Sequence, residues 1–149
     1  MVYLDIFLTA IMLSICAYTD MKSNKIPHVV VWPVALLGLL NTALLFDWNA
    51  ALWQGAIAFV ALIIGYVLYR FKMCGGGDVF LVVSMICTIG WQYALLVLSI
   101  GMICGVFYAL FIYIFKKPEE KKIMIPLALM CAISFIIVTG FNLYMLRFA

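Results

Sequence analysis

Apolar runs alternate with short polar breaks along the whole chain, and each run reads as one helix. A helix needs about 20 predominantly apolar residues to cross the hydrocarbon core of a bilayer. Six segments of that kind are predicted: about Val2–Thr19, Val29–Phe46, Leu52–Tyr69, Asp78–Gly90, Ala94–Phe115 and Ile123–Leu146. Pro33 falls in the first turns of the second segment, where a helix tolerates proline best. The fourth segment is too short for a full crossing at 1.5 Å per residue. Either it continues past Trp91, or its glycine-rich start is recessed within the protein. The expected fold is therefore all-α: a polytopic membrane protein of about six transmembrane helices, residues 1–149 forming one domain.

Composition agrees with this pattern. Hydrophobic residues make up 69% of the chain and charged residues 10%, against roughly 45–50% and about 25% in soluble domains. The position of the charges matters more than the net +3. The breaks "DMKSNKIPH", "RFKM" and "KKPEEKK" follow the first, third and fifth segments and hold eight of the nine Lys and Arg residues. The positive-inside rule places those breaks in the cytoplasm and both termini outside. The first segment lacks a basic n-region and a small-residue cleavage pattern, so it is read as a transmembrane helix rather than a cleaved signal. The expected location is the cytoplasmic (inner) membrane, with the lipid bilayer as surroundings and no nucleic-acid partner.

Most side chains with chemical potential have plain structural roles. Cys16, Cys74, Cys87, Cys104 and Cys131 are scattered singly with no CxxC pair. That spacing argues against a structural zinc site; no metal or cofactor is expected. The single histidine, His28, is assigned to a loop without an evident catalytic partner. Four of the six acidic residues are placed in water or at an interface: Asp5 and Asp47 at the outer edge, Glu119 and Glu120 in the basic loop.

Asp20 and Asp78 remain. Asp20 closes the first segment and Asp78 opens the fourth, so the topology puts both at the cytoplasmic edge. Asp78 could be a simple helix N-cap. Asp20 meets the negative end of a helix dipole, which a lysine would suit better, and carboxylates near the membrane interior are functional candidates. Two carboxylates at one depth can share a proton. The ionised one can activate a water against a peptide carbonyl, and the protonated one can assist the carbonyl oxygen and the leaving amine. The helix ends suggest Asp78 as base and Asp20 as acid. The glycines before Asp78 allow close approach of an extended peptide or merely form a turn.

The stretch "GGGD", Gly75 to Asp78, fits the GxGD signature of membrane aspartic proteases. Together with Asp20 in "DMKSNKIP" and six segments, the chain resembles the type IV prepilin peptidases and archaeal preflagellin peptidases, over nearly its whole length. The resemblance implies removal of a short leader from prepilin-like substrates, at a glycine before a hydrophobic helix, on the cytoplasmic face. It implies Asp20 and Asp78 as the catalytic pair, with Gly75, Gly76, Gly77, Ile26 and Pro27 on the substrate side. Many members carry Asn or Asp after that proline, where this chain has His28. The larger, bifunctional members add an N-terminal domain with CxxC motifs; the chain resembles the short, peptidase-only members such as those serving Flp-type pili, and no methyltransferase activity is expected.

Two other readings stay open at this level. A transporter or assembly subunit could use paired carboxylates to hold a proton or cation, although transport sites usually lie near the midplane. A GxGD protease cutting inside transmembrane helices more commonly has a tyrosine–aspartate element, which "AYTD" does not supply.

Overall fold

The computed structural model describes residues 2–23, 26–45, 47–72, 74–115 and 127–148. They form six helices and, among the described residues, no strand: α1 Val2–Ser23, α2 His28–Leu45, α3 Trp48–Arg70, α4 Gly76–Ile89, α5 Trp91–Phe115 and α6 Leu127–Phe148. α1, α2, α3 and α5 are long and apolar enough to cross a membrane. The molecule is an all-α membrane protein, and its surface shows why. Phe7, Leu44, Trp48, Phe59, Phe107 and Phe111 are all exposed, and a helix that is hydrophobic all round needs either a protein or a lipid neighbour on every face. In lipid, a helix also satisfies its own backbone polar groups.

The basic loop "KKPEEKK", with Glu119 and Glu120, lies outside the described residues. So does the expected start of the last helix at Ile123, the described helix beginning at Leu127.

α4 is the shortest helix and the central one. Its 14 residues span about 21 Å, less than the roughly 30 Å hydrocarbon core. It packs against all five other helices. Leu81, Met85, Ile86 and Cys87 of α4 are buried among Met12, Leu13 and Cys16 of α1, Val31, Val34 and Ala35 of α2, and Phe135 of α6. α3, by contrast, buries only Ala58. The short fourth segment does not run on past Trp91. It ends at Gly90, whose φ of +81° is a conformation that L side chains avoid. α5 then starts at once.

Close contacts fix the register of α4. At Gly38 of α2 a Cβ would fall 2.6 Å from the carbonyl oxygen of Cys87, so only glycine lets the two backbones approach this closely. Hydroxyl groups complete the lock. Thr9 of α1 donates to Thr88 of α4 (3.0 Å), and Ser84 donates to the Val31 carbonyl oxygen of α2 (3.2 Å). These pairs show that α4 runs antiparallel to α1 and parallel to α2.

Two expectations about the helix ends change. Asp5 is not a solvated interfacial charge. It is 8% exposed, because α1 begins at Val2 and the last turn of α2 lies alongside it. Its Oδ2 accepts a hydrogen bond from Asn41 Nδ2 at 2.8 Å, while Oδ1 is buried with no donor among the described residues. His28 is not in a loop but opens α2, its ring meeting Phe80 edge-on at 5.0 Å. Asp47 does sit in the open, as the N-cap of α3, accepting from the Trp48 amide at 2.8 Å.

Candidate active site

The end of α1 and the start of α4 come together at one end of the bundle, because the two helices run antiparallel. α1 continues to Ser23, so Asp20 stands within its last turn rather than closing it. Asp20 is 9% exposed. Its Oδ2 accepts a hydrogen bond from the Ala128 backbone N–H at 3.3 Å. That amide belongs to the first turn of α6, where N–H groups lack intrahelical acceptors. Asp20 therefore meets the positive end of one helix dipole as well as the negative end of its own. The helix-end argument that separated it from Asp78 no longer holds.

Asp78 is the third residue of α4 and not its N-cap. Its Oδ2 reaches back to accept the Gly75 N–H at 3.2 Å. The carboxylate is half-buried and lies within range of the charge on Asp20. The last turn of α1, the first turn of α4 and the first turn of α6 thus meet at one end of the bundle. Lys22, Arg70 and Lys72 are exposed at the same end of the bundle.

The glycine turn is shaped from both sides. Gly75 is exposed. Gly76 faces the Tyr69 ring, whose Cε2 would lie 3.5 Å from an added Cβ. Gly77 lies against Ile26, where a Cβ would come within 2.9 Å of the Ile26 Cβ. Ile26 is buried, so its side chain supports the turn from beneath. The Pro27 carbonyl oxygen accepts the Val30 and Val31 amides at 3.1 and 3.4 Å, capping α2. Of the residues assigned to the substrate side, the exposed Gly75 offers the most open surface.

Sequence reasoning missed Ala128, because it gave α6 no part in the site. One signal was available: Pro126 lies in the first turn of the expected last segment, and proline marks helix starts. Phe80 of α4 also meets Trp32 of α2, with ring centroids 5.6 Å apart. Among the described residues no three His, Cys, Asp or Glu side chains cluster as metal ligands.

No curated protein and no solved structure matches the chain. A family model does: residues 7–110 match that of the type IV leader peptidase family, a span holding Asp20, the glycine turn and Asp78. With that match over most of its length, and with both aspartates at one end of an all-helical bundle, the chain belongs to the type IV leader peptidase family.

Proposed function

We propose that the protein is an aspartic endopeptidase that removes the short N-terminal leader of prepilin-like substrates, with Asp20 and Asp78 as its general acid–base pair. The observation that carries this reading is that antiparallel packing brings the end of α1 with Asp20 and the start of α4 with Asp78, remote in sequence, to one end of the bundle, where the charge of Asp20 reaches Asp78. Family membership favours proteolysis over transport.

Like charges at short range favour a pair holding one proton. The ionised carboxylate takes a proton from water as the oxygen attacks the scissile carbonyl. The protonated partner donates a hydrogen bond to the carbonyl oxygen as it becomes an oxyanion. When the tetrahedral intermediate collapses, the C–N bond breaks and the amine leaves with a proton from the pair. One proton taken from water and one given to the amine return the pair to its starting state. The exposed Gly75 and the turn it opens give an extended peptide backbone access to Asp78.

The chain crosses the inner membrane several times with its aspartate end in the cytoplasm and both termini outside. The exposed Lys22, Arg70 and Lys72 at that end support this orientation. The leaders of such substrates are themselves basic, so charge does not draw them in. Selection comes from the apolar helix that follows the leader. The absence of any CxxC pair argues against methyl transfer by these residues.

The test uses a membrane reporter with a short basic leader, a glycine and an apolar helix, co-expressed with the protein. Asp20→Asn and Asp78→Asn should each reduce leader removal by about 100-fold or more, with the protein still in the membrane. Processing at the parent rate by either variant would remove that residue from the pair.

A further inference from the structure

The aspartates are held by backbone, and one hold comes from a helix outside the family match. The matched residues end at 110, within α5, whereas the donor to Asp20 is Ala128 in the first turn of α6. Ala128 is 0% exposed, so water cannot satisfy its amide, and a buried donor left unpaired is costly. Asp20 is the partner it finds, and Asp20 is itself nearly inaccessible. The arrangement mirrors that of Asp78, whose Oδ2 takes the Gly75 amide at the N-terminus of α4.

We propose that the N-terminus of α6 is a positioning element of the active site: the Ala128 amide aims the Asp20 carboxylate at Asp78. The bond engages Oδ2, and the chemistry needs only the other oxygen. The positive end of α6 also offsets the repulsion between two carboxylates brought together. α1 and α4 supply the acids, and α6 makes their approach tolerable. This rests on the reading of Asp20 as catalytic, and the experiment separates the two.

The N–H can be deleted without changing the side chain by placing lactic acid at position 128, which turns the Leu127–Ala128 amide into an ester. The control is lactic acid at Ala132, one turn further into α6, where the lost N–H serves only the helix. With the purified proteins and a synthetic reporter peptide of the design above, the 128 ester should lower kcat about 10-fold or more, the worth of a hydrogen bond to a charged group. It should leave KM within about twofold and displace the acidic limb of the pH–rate profile. The 132 ester should leave that limb in place. Equal losses for both esters with no change in the profile would make α6 merely structural and overturn the proposal. Should the 128 ester fail to accumulate, the parent protein provides the second measurement. The Ala128 amide proton, followed by NMR across pH, should titrate with the acidic limb of activity, and a resonance that stays still would overturn the proposal. Asp20→Asn distinguishes the failures: full activity in that variant defeats the catalytic reading of Asp20, whereas an inert Asp20→Asn beside a fully active 128 ester defeats only the role of α6.

Discussion

Burial separates three aspartates that look alike in a hydropathy plot. Asp47 is exposed and caps α3. Asp5 is buried and bound to Asn41. Asp20 is buried and bound to the Ala128 amide. The consequences differ. Removing the Asn41 amide leaves a second Asp5 oxygen without a donor, so Asn41→Ala should destabilise the protein by about 1–3 kcal/mol. Thermal unfolding in detergent would read this, and leader cleavage by the folded fraction should be unchanged. No change in the melting midpoint would mean that Asp5 has another partner. Asp47→Ala is the fitting neutral control for the catalytic variants, since it loses only a cap, at about 1 kcal/mol. Asp5 does not serve that purpose. Its position four residues into an apolar run placed it at an interface by sequence reasoning; the side-chain amide that buries it lies on another helix.

Among the elements, α4 carries the most consequence per residue. It is too short to span the bilayer alone, so its ends are set by neighbours. Gly38 clamps its far end by admitting the Cys87 and Thr88 backbone, and Ile26 seats its near end beneath Gly77. Gly38→Ala drives a Cβ into a carbonyl oxygen 2.6 Å away. It should destabilise by about 1–3 kcal/mol or more, the range for overpacking, and should lower cleavage because α4 also positions Asp78. Melting and reporter cleavage measured on the same preparation would check both effects. Unchanged values for both would show that α2 and α4 can part without consequence. The glycines at 75–77 were legible as a turn before Asp78, and the shortness of this segment was legible too. That α4 starts two residues earlier, with Asp78 at its third position, was not, because a glycine run carries no hydrophobic phase to mark where the helix begins.

At the scale of the whole molecule, the six helices alternate in direction, so every acid or base of interest falls at one end or the other. Cys74 reports on which end is which. It is exposed beside the glycine turn, while Cys16, Cys87 and Cys131 are buried. A membrane-impermeant maleimide should therefore label Cys74 in inverted vesicles and not in right-side-out spheroplasts. Labelling from outside would reverse the proposed orientation and take the aspartates away from the cytoplasm. A Cys74→Ser variant identifies the signal.

Hydropathy and charge along the chain determined the number of helices, their approximate spans and the grouping of bases at alternate breaks, because each depends on residues close in sequence. They also singled out Asp20 and Asp78, since the charge pattern puts these two helix-bordering carboxylates, and neither Asp5 nor Asp47, at the base-rich edge. Tertiary packing alone decided what those carboxylates touch. The amide that binds Asp20 lies more than a hundred residues away on α6, the buried state of Asp5 depends on Asn41 of α2, and the seat of the glycine turn is a side chain from the opening of α2. Helices that are apolar on every face carry no mark of which side meets protein and which meets lipid. The choice of neighbours is made by close contacts and a few hydrogen bonds, which exist only once the bundle has formed.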